Sequence, residues 1–169
     1  MKKLSLSLLT ALVIASGAKQ SLAQNSFRGF ISGGDEHSIS LLCDGTVWTW
    51  GKGTDGQLGN NTIGLGAGSL VPVQVRGIGN IGFLTNITQV AAGRNHCLAL
   101  RCDGAVLSWG DNDASWQLGD GTYLDRATPV LVTLPAPAIA IAAGGGDGSG
   151  SGSPIGHSAA LLNDGSVWT

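Results

Sequence analysis

The sequence predicts an all-β fold made of tandem β-propeller blades of about four antiparallel strands each, and three observations predict it. A motif running from His37 to Gly51 returns from His96 to Gly110 and again from His157 to Thr169. Within each copy an Asp-Gly pair (Asp44-Gly45, Asp103-Gly104, Asp164-Gly165) stands between two β-favouring runs, the signature of a tight hairpin. Glycine is abundant at 28 residues, while charged residues reach only 12%, about half the usual share. Together with 43% hydrophobics, this describes short buried strands joined by turns rather than a disordered chain.

The first element, residues 1–23, reads as a signal peptide. Lys2 and Lys3 form a positive start, Leu4 to Ala15 is an apolar run too short to span a bilayer comfortably, and Gly17 breaks it. Ser21 and Ala23 put small residues at the two positions a signal peptidase reads, so cleavage is expected after Ala23. The mature chain is expected to be secreted or periplasmic, with no membrane attachment. Residues 24–30 form a short lead-in, and the repeats occupy 31–169.

Each repeat of about 60 residues supplies four short strands. Two belong to the Asp-Gly hairpin. A third is the Pro72-Val73-Gln74-Val75 run, matched by Pro129-Val130-Leu131-Val132, with proline expected at the strand start. The fourth is Val90-Ala91-Ala92-Gly93, matched by Ile141-Ala142-Ala143-Gly144 and more weakly by Ile31-Ser32-Gly33-Gly34; its small residues suit crowding near a propeller axis. The loops Gln57-Leu58-Gly59 and Gln117-Leu118-Gly119 also correspond, and Leu58 and Leu118 are expected to plug the gap between neighbouring blades. Two full repeats are present, with the opening hairpin of a third. The stretch from Gly144 to Ser153 interrupts the third copy and reads as a solvent-exposed loop insertion. It lacks the Gly-Lys-Ser or Gly-Lys-Thr of a phosphate loop.

The repeat also decides how single residues are read. His37, His96 and His157 occupy one position in successive copies, which separates them by the blade rotation and speaks against a shared metal. Each is expected to bond backbone within its own blade. Asp44, Asp103 and Asp164, each followed by glycine, are turn residues rather than catalytic acids. Trp48, Trp50, Trp109 and Trp168 are expected in the blade core. Cys43, Cys97 and Cys102 leave at least one thiol unpaired; a Cys43–Cys102 bridge is conceivable, with three free thiols the preferred reading. Trp116 breaks the repeat pattern within a loop and is the candidate partner anchor.

Copy one carries Gly34, His37, Ser38, Leu41, Asp44, Gly45, Val47, Trp50, Gly51, Gly56, Gln57, Leu58 and Gly59. Copy two repeats most of these, adds Asn112, and places Cys97 after the histidine and Trp116 before Gln117. From about Ile31 to Thr169 this pattern resembles the repeat of the regulator of chromosome condensation family. The resemblance implies a seven-bladed propeller of roughly 400 residues, so the sequence is expected to be a partial ring with an open blade edge prone to self-association.

Propellers of that family present loops to protein partners, and exported bacterial relatives include an inhibitor of a β-lactamase. The resemblance therefore implies a non-enzymatic binding module, acting on an extracellular or periplasmic protein. The family's name-giving role, nucleotide exchange on a small GTPase with chromatin binding, is the alternative. The net charge of −2, and nine basic residues of which three lie in the leader, speak against nucleic acid as a partner. A propeller-scaffold lyase or hydrolase is the third reading; no nucleophile–base or carboxylate pair stands outside the repeat positions, and no cofactor is expected.

Overall fold

The computed structural model describes residues 29–112, 116–146 and 155–169. The expected signal peptide, most of the lead-in and the centre of the glycine-rich stretch lie outside the described residues. The first sheet runs in the order β1 (Phe30–Gly33), β2 (His37–Leu41), β3 (Val47–Gly51), β4 (Ser69–Gln74). The second repeats that order with β5 (Ile87–Ala92), β6 (His96–Arg101), β7 (Val106–Gly110) and β8 (Arg126–Leu131). The third holds β9 (Ala138–Gly146), β10 (Ile155–Leu162) and β11 (Val167–Trp168). All pairing within these sheets is antiparallel, so three successive blades are present, the last with three strands rather than a hairpin alone.

The Asp-Gly hairpins share one construction. Only the glycine enters the left-handed region, with φ of 81°, 86° and 86° at Gly45, Gly104 and Gly165. The aspartate instead accepts the amide two residues on: Thr46 N–H to Asp44 at 3.0 Å, Ala105 to Asp103 at 3.1 Å and Ser166 to Asp164 at 2.9 Å. This local bond closes the turn that begins β3, β7 and β11. At Asp103 the Arg101 guanidinium adds a fork of hydrogen bonds and holds the carboxyl down at about 2.

The innermost strands β1, β5 and β9 lie side by side. Ala92 N–H reaches Ser32 Oγ at 3.1 Å, and the Gln89 amide both donates to and accepts from the backbone of Ile141, imitating a strand ladder. The glycine closing each inner run has a steric cause. A Cβ added at Gly34, Gly93 or Gly144 would lie 2.2, 2.0 or 2.7 Å from a ring atom of His37, His96 or His157 respectively. Glycine and histidine are thus one device, and in the third copy the β9–β10 register (Gly144 opposite His157) rebuilds it across the inserted stretch.

Gly93→Ala should therefore push the buried His96 ring from its seat at a cost of about 2 kcal/mol, the range for overpacking. Gly33→Ala, with open space around the new methyl, should cost far less. Urea unfolding midpoints of the two variants check this; equal midpoints would refute it.

Three expectations need correction. Pro72 and Pro129 sit inside β4 and β8 rather than at their starts. Both are outermost strands whose ladder shifts register near the proline, so one flank needs no donor. Gly144–Gly146 belong to β9 and pair with Ile155–His157, so the insertion begins later than its composition suggests. Of the four strand tryptophans only Trp109 is core; Trp48 and Trp50 are half-buried and Trp168 is exposed, since among the described residues no further sheet packs on blade one or beside β11.

Candidate functional site

Two seams join the three sheets, and both are built around a buried polar relay. In the first, His37 Nε2 lies 3.2 Å from Cys97 Sγ, which reaches the Gln57 carbonyl at 3.6 Å. In the second, His96 Nε2 lies 3.0 Å from Ser158 Oγ, whose hydroxyl donates to the Gln117 carbonyl at 2.6 Å. Each histidine therefore bonds a side chain on the next sheet, not backbone within its own blade. The expectation missed this because the partner lies about one repeat ahead, at 60 or 62 residues, beyond the reach of local pattern.

The relay fixes the tautomer. Ser158 gives its proton to Gln117, so His96 must donate from Nε2, which leaves Nδ1 bare, buried and without a partner. His37 has the same orphaned Nδ1. A second proton would place a charge on a ring largely removed from water. Burial accordingly lowers both imidazoles to about 4. Burial also pushes the Cys97 thiol up, so it stays protonated.

The seams differ in one respect. At the first, the Trp109 indole fills the gap completely buried, its N–H donated to the Gln57 carbonyl at 3.0 Å. Gly59, with φ 61°, lies against that ring, and a Cβ there would come within 2.8 Å of the indole nitrogen. At the second, the matching Gly119, φ 62°, would meet only Val132. A cavity of about 450 Å³ opens there, lined among others by Gln117, Gly119, Val132, Ser158 and Thr169. Leu58 and Leu118 are both buried, and the carbonyls of these two leucines accept from the hydroxyls of Thr49 and Ser108.

Trp116 stands at the mouth of this cavity, 55% exposed, edge-on to Tyr123 with ring centroids 4.2 Å apart. Its φ of 60° is a left-handed conformation, where copy one has Gly56. A Cβ at Gly56 would meet the Arg126 carbonyl at 2.7 Å, so the packing of β8 demands glycine there. At Trp116 the side chain is accommodated, yet the backbone bears about 1–2 kcal/mol of strain.

The loop is held by Asn112, whose buried amide contacts Asp120, the Thr122 carbonyl and the Leu118 amide, with Arg126 clamped on Asp120 at 2.7 Å. Sequence reasoning noted Asn112 as a repeat match but missed this framework, because copy one has Asn60 and Ser69 where copy two has the ion-paired Asp120 and Arg126.

The other candidates are dispersed. Asp44, Asp103 and Asp164 sit on exposed turns. His37 and His96 serve separate seams, and His157 is exposed on β10. Among the described residues no group of three or more His, Cys, Asp or Glu could hold a metal. Cys43 and Cys102 are exposed free thiols and Cys97 a buried one. No helix among the described residues is long and apolar enough to cross a membrane.

Three successive four-stranded-type blades, joined by repeated seams, define a partial β-propeller of tandem repeats. The chain belongs to the regulator of chromosome condensation (RCC1) repeat family, whose models match residues 44–100 and 103–146, and 30–57 and 87–114. It is 40% identical over 104 residues to the human probable E3 ubiquitin-protein ligase HERC3, covering 62% of this chain and 9% of that one. It is 33% identical over 102 residues to the ultraviolet-B receptor UVR8 of Arabidopsis thaliana, covering 60% and 21%. The chain thus spans less than a quarter of these relatives' length. Among solved structures, yeast RCC1 (Prp20) bound to Kap60 superposes with a TM-score of 0.60 at 29% identity, covering 82% of this chain and 28% of that one. Human WBSCR16 gives 0.64 at 24%, covering 82% and 31%.

Proposed function

We propose that this chain is an exported, non-enzymatic protein-binding module that acts on an extracellular or periplasmic protein through the Trp116 loop. The observation that carries the reading is Trp116 itself: a large aromatic held exposed, in a backbone conformation that penalises it, at the edge of a cleft. Strain retained at an exposed aromatic supports a binding role, since glycine would relieve it at no steric cost. The hydrogen-bonded Asn112–Asp120–Arg126 frame, which orders the backbone that follows Trp116, and the edge-on contact of its ring with Tyr123 support the same reading. The signal-like leader and the acidic balance support export and a protein rather than a nucleic-acid partner.

Trp116→Gly separates binding from folding. It should raise stability by about 1 kcal/mol by removing the left-handed penalty. Capture of the partner from the exported proteome on the immobilised chain should fall at least about thirty-fold, the loss expected of an aromatic hot spot. Undiminished capture by Trp116→Gly would sink the assignment.

A further inference from the structure

We infer that the β4–β5 connection is a membrane-surface contact, an apolar tip that enters the interface of a bilayer carrying anionic headgroups. This goes beyond the Trp116 reading and does not depend on it. Eleven residues, 76–86, join Val75 to Ile87, where five, 133–137, join the equivalent Val132 to Ala138. The longer connection is rooted by the buried Val75 and Leu84, and its turn at Ile78–Asn80 lies against β8 of the second sheet. Both neighbouring sheets are therefore in place around it, and its exposure is not that of an open blade edge.

Ile81 at the tip is 81% exposed, and Ile78 and Phe83 beside it are exposed too. No charged residue lies from Gly77 to Asn86. The backbone of the tip meanwhile satisfies itself. Gly77 N–H donates to the Gly82 carbonyl at 3.2 Å, Asn80 N–H to Gly77 at 3.0 Å and Ile81 N–H to Ile78 at 3.3 Å. Arg76 and Phe83 pair as a bridge below them. A loop that bonds its own polar groups loses little on leaving water, which is the condition lipid imposes.

Charge selects the lipid. Lys52, Arg94, Arg101 and Arg126 each pair with a carboxylate, whereas no ion pair joins Arg76 to one among the described residues. Its guanidinium lies over the Phe83 ring instead, 4.9 Å from the centroid. From Gly56 to Cys102 the chain has no Asp or Glu, so nothing acidic in this stretch competes for it. An apolar tip with such a guanidinium at its base fits a lipid phosphate above the acyl boundary, where arginine reaches the headgroup while its neighbours bury. A stable protein interface engages roughly twenty residues a side, far more than this knob presents, and a fluid bilayer needs no matching shape. Sequence alone predicts no membrane attachment, because three apolar side chains on one loop are too few to form a hydrophobic segment.

Flotation of the mature chain with vesicles of phosphatidylcholine, alone or mixed equally with phosphatidylglycerol, is the test. Reversible binding to the mixed vesicles is expected at roughly millimolar lipid, weaker than a single myristoyl chain gives. Ile81→Asp should weaken it at least about ten-fold with an unchanged urea midpoint. Arg76→Gln should weaken it about five-fold, the worth of one cation near an anionic surface. Trp168→Ser, on the exposed β11, should float like the parent chain. No flotation of the parent, or undiminished flotation of Ile81→Asp, would overturn the contact. An equal loss in Trp168→Ser would overturn it in favour of adhesion through the third sheet, and equal binding to both vesicles would overturn the anionic lipid. If Ile81→Asp loses capture of a partner protein while the parent ignores vesicles, the tip is a protein contact and the lipid assignment fails.

Discussion

Acidification from pH 7 to pH 4 should destabilise this fold by about 6 kcal/mol, as much as many domains have in total. The effect comes from two buried imidazoles, His37 and His96, each lowered to about 4 by burial. In the unfolded chain both return to about 6.5. Between pH 6.5 and pH 4 the unfolded state therefore binds more protons than the folded one, and stability falls with falling pH. Below the folded value of about 4 both states are protonated and the loss levels off. A depression of about 2.5 pKa units corresponds to about 3 kcal/mol per histidine.

The facing groups keep this sign. Near His37, Asp35 acts to raise the pKa and Lys52 to lower it, both weaker than burial. Around His96 the charges of His37 and His157 add to the lowering, and a backbone hydrogen bond at His157 opposes it more weakly than burial. Urea melts across pH 4–7 provide the measurement. His96→Gln, which keeps a donor toward Ser158 without a titratable ring, should be less stable at pH 7 yet lose about half of the pH slope. A slope unchanged in both His96→Gln and His37→Gln would show that other groups drive the acid response.

Much of the architecture was legible because the repeat writes each element two or three times. The Asp-Gly turns, the small inner strands and the buried Leu58 and Leu118 could be read from spacing alone. The relay could not, since His96 and Ser158 are 62 residues apart and meet only through the stacking of one sheet on the next. Composition misled at Gly144–Gly146, which pair within the β9–β10 ladder, with Gly144 required by the His157 ring. Position in the array misled for the tryptophans. Equivalent residues Trp50 and Trp109 have different burial because, among the described residues, only Trp109 has a neighbouring sheet to meet. Trp116 was visible as a break in the pattern, but its left-handed backbone was not, since only the match to Gly56 in three dimensions shows what that position demands.

Trp109→Ala should be the most damaging single side-chain truncation, at about 3–5 kcal/mol, the range for a fully buried large aromatic. The indole has no exposed surface and is packed with Val75, Val90 and Cys97 in the core between the first two sheets. Its removal also strips the Gln57 carbonyl of its shortest hydrogen bond, leaving the distant Cys97 thiol at 3.6 Å. Trp168→Ala, at an exposed position on β11, should cost under about 1 kcal/mol although the residue type is the same. Urea unfolding of the two variants at pH 7 checks the contrast; similar midpoints would contradict the packing of the first seam. Free indole supplies a second readout. Truncation at 109 should leave a buried cavity, so indole should restore part of the lost stability in Trp109→Ala.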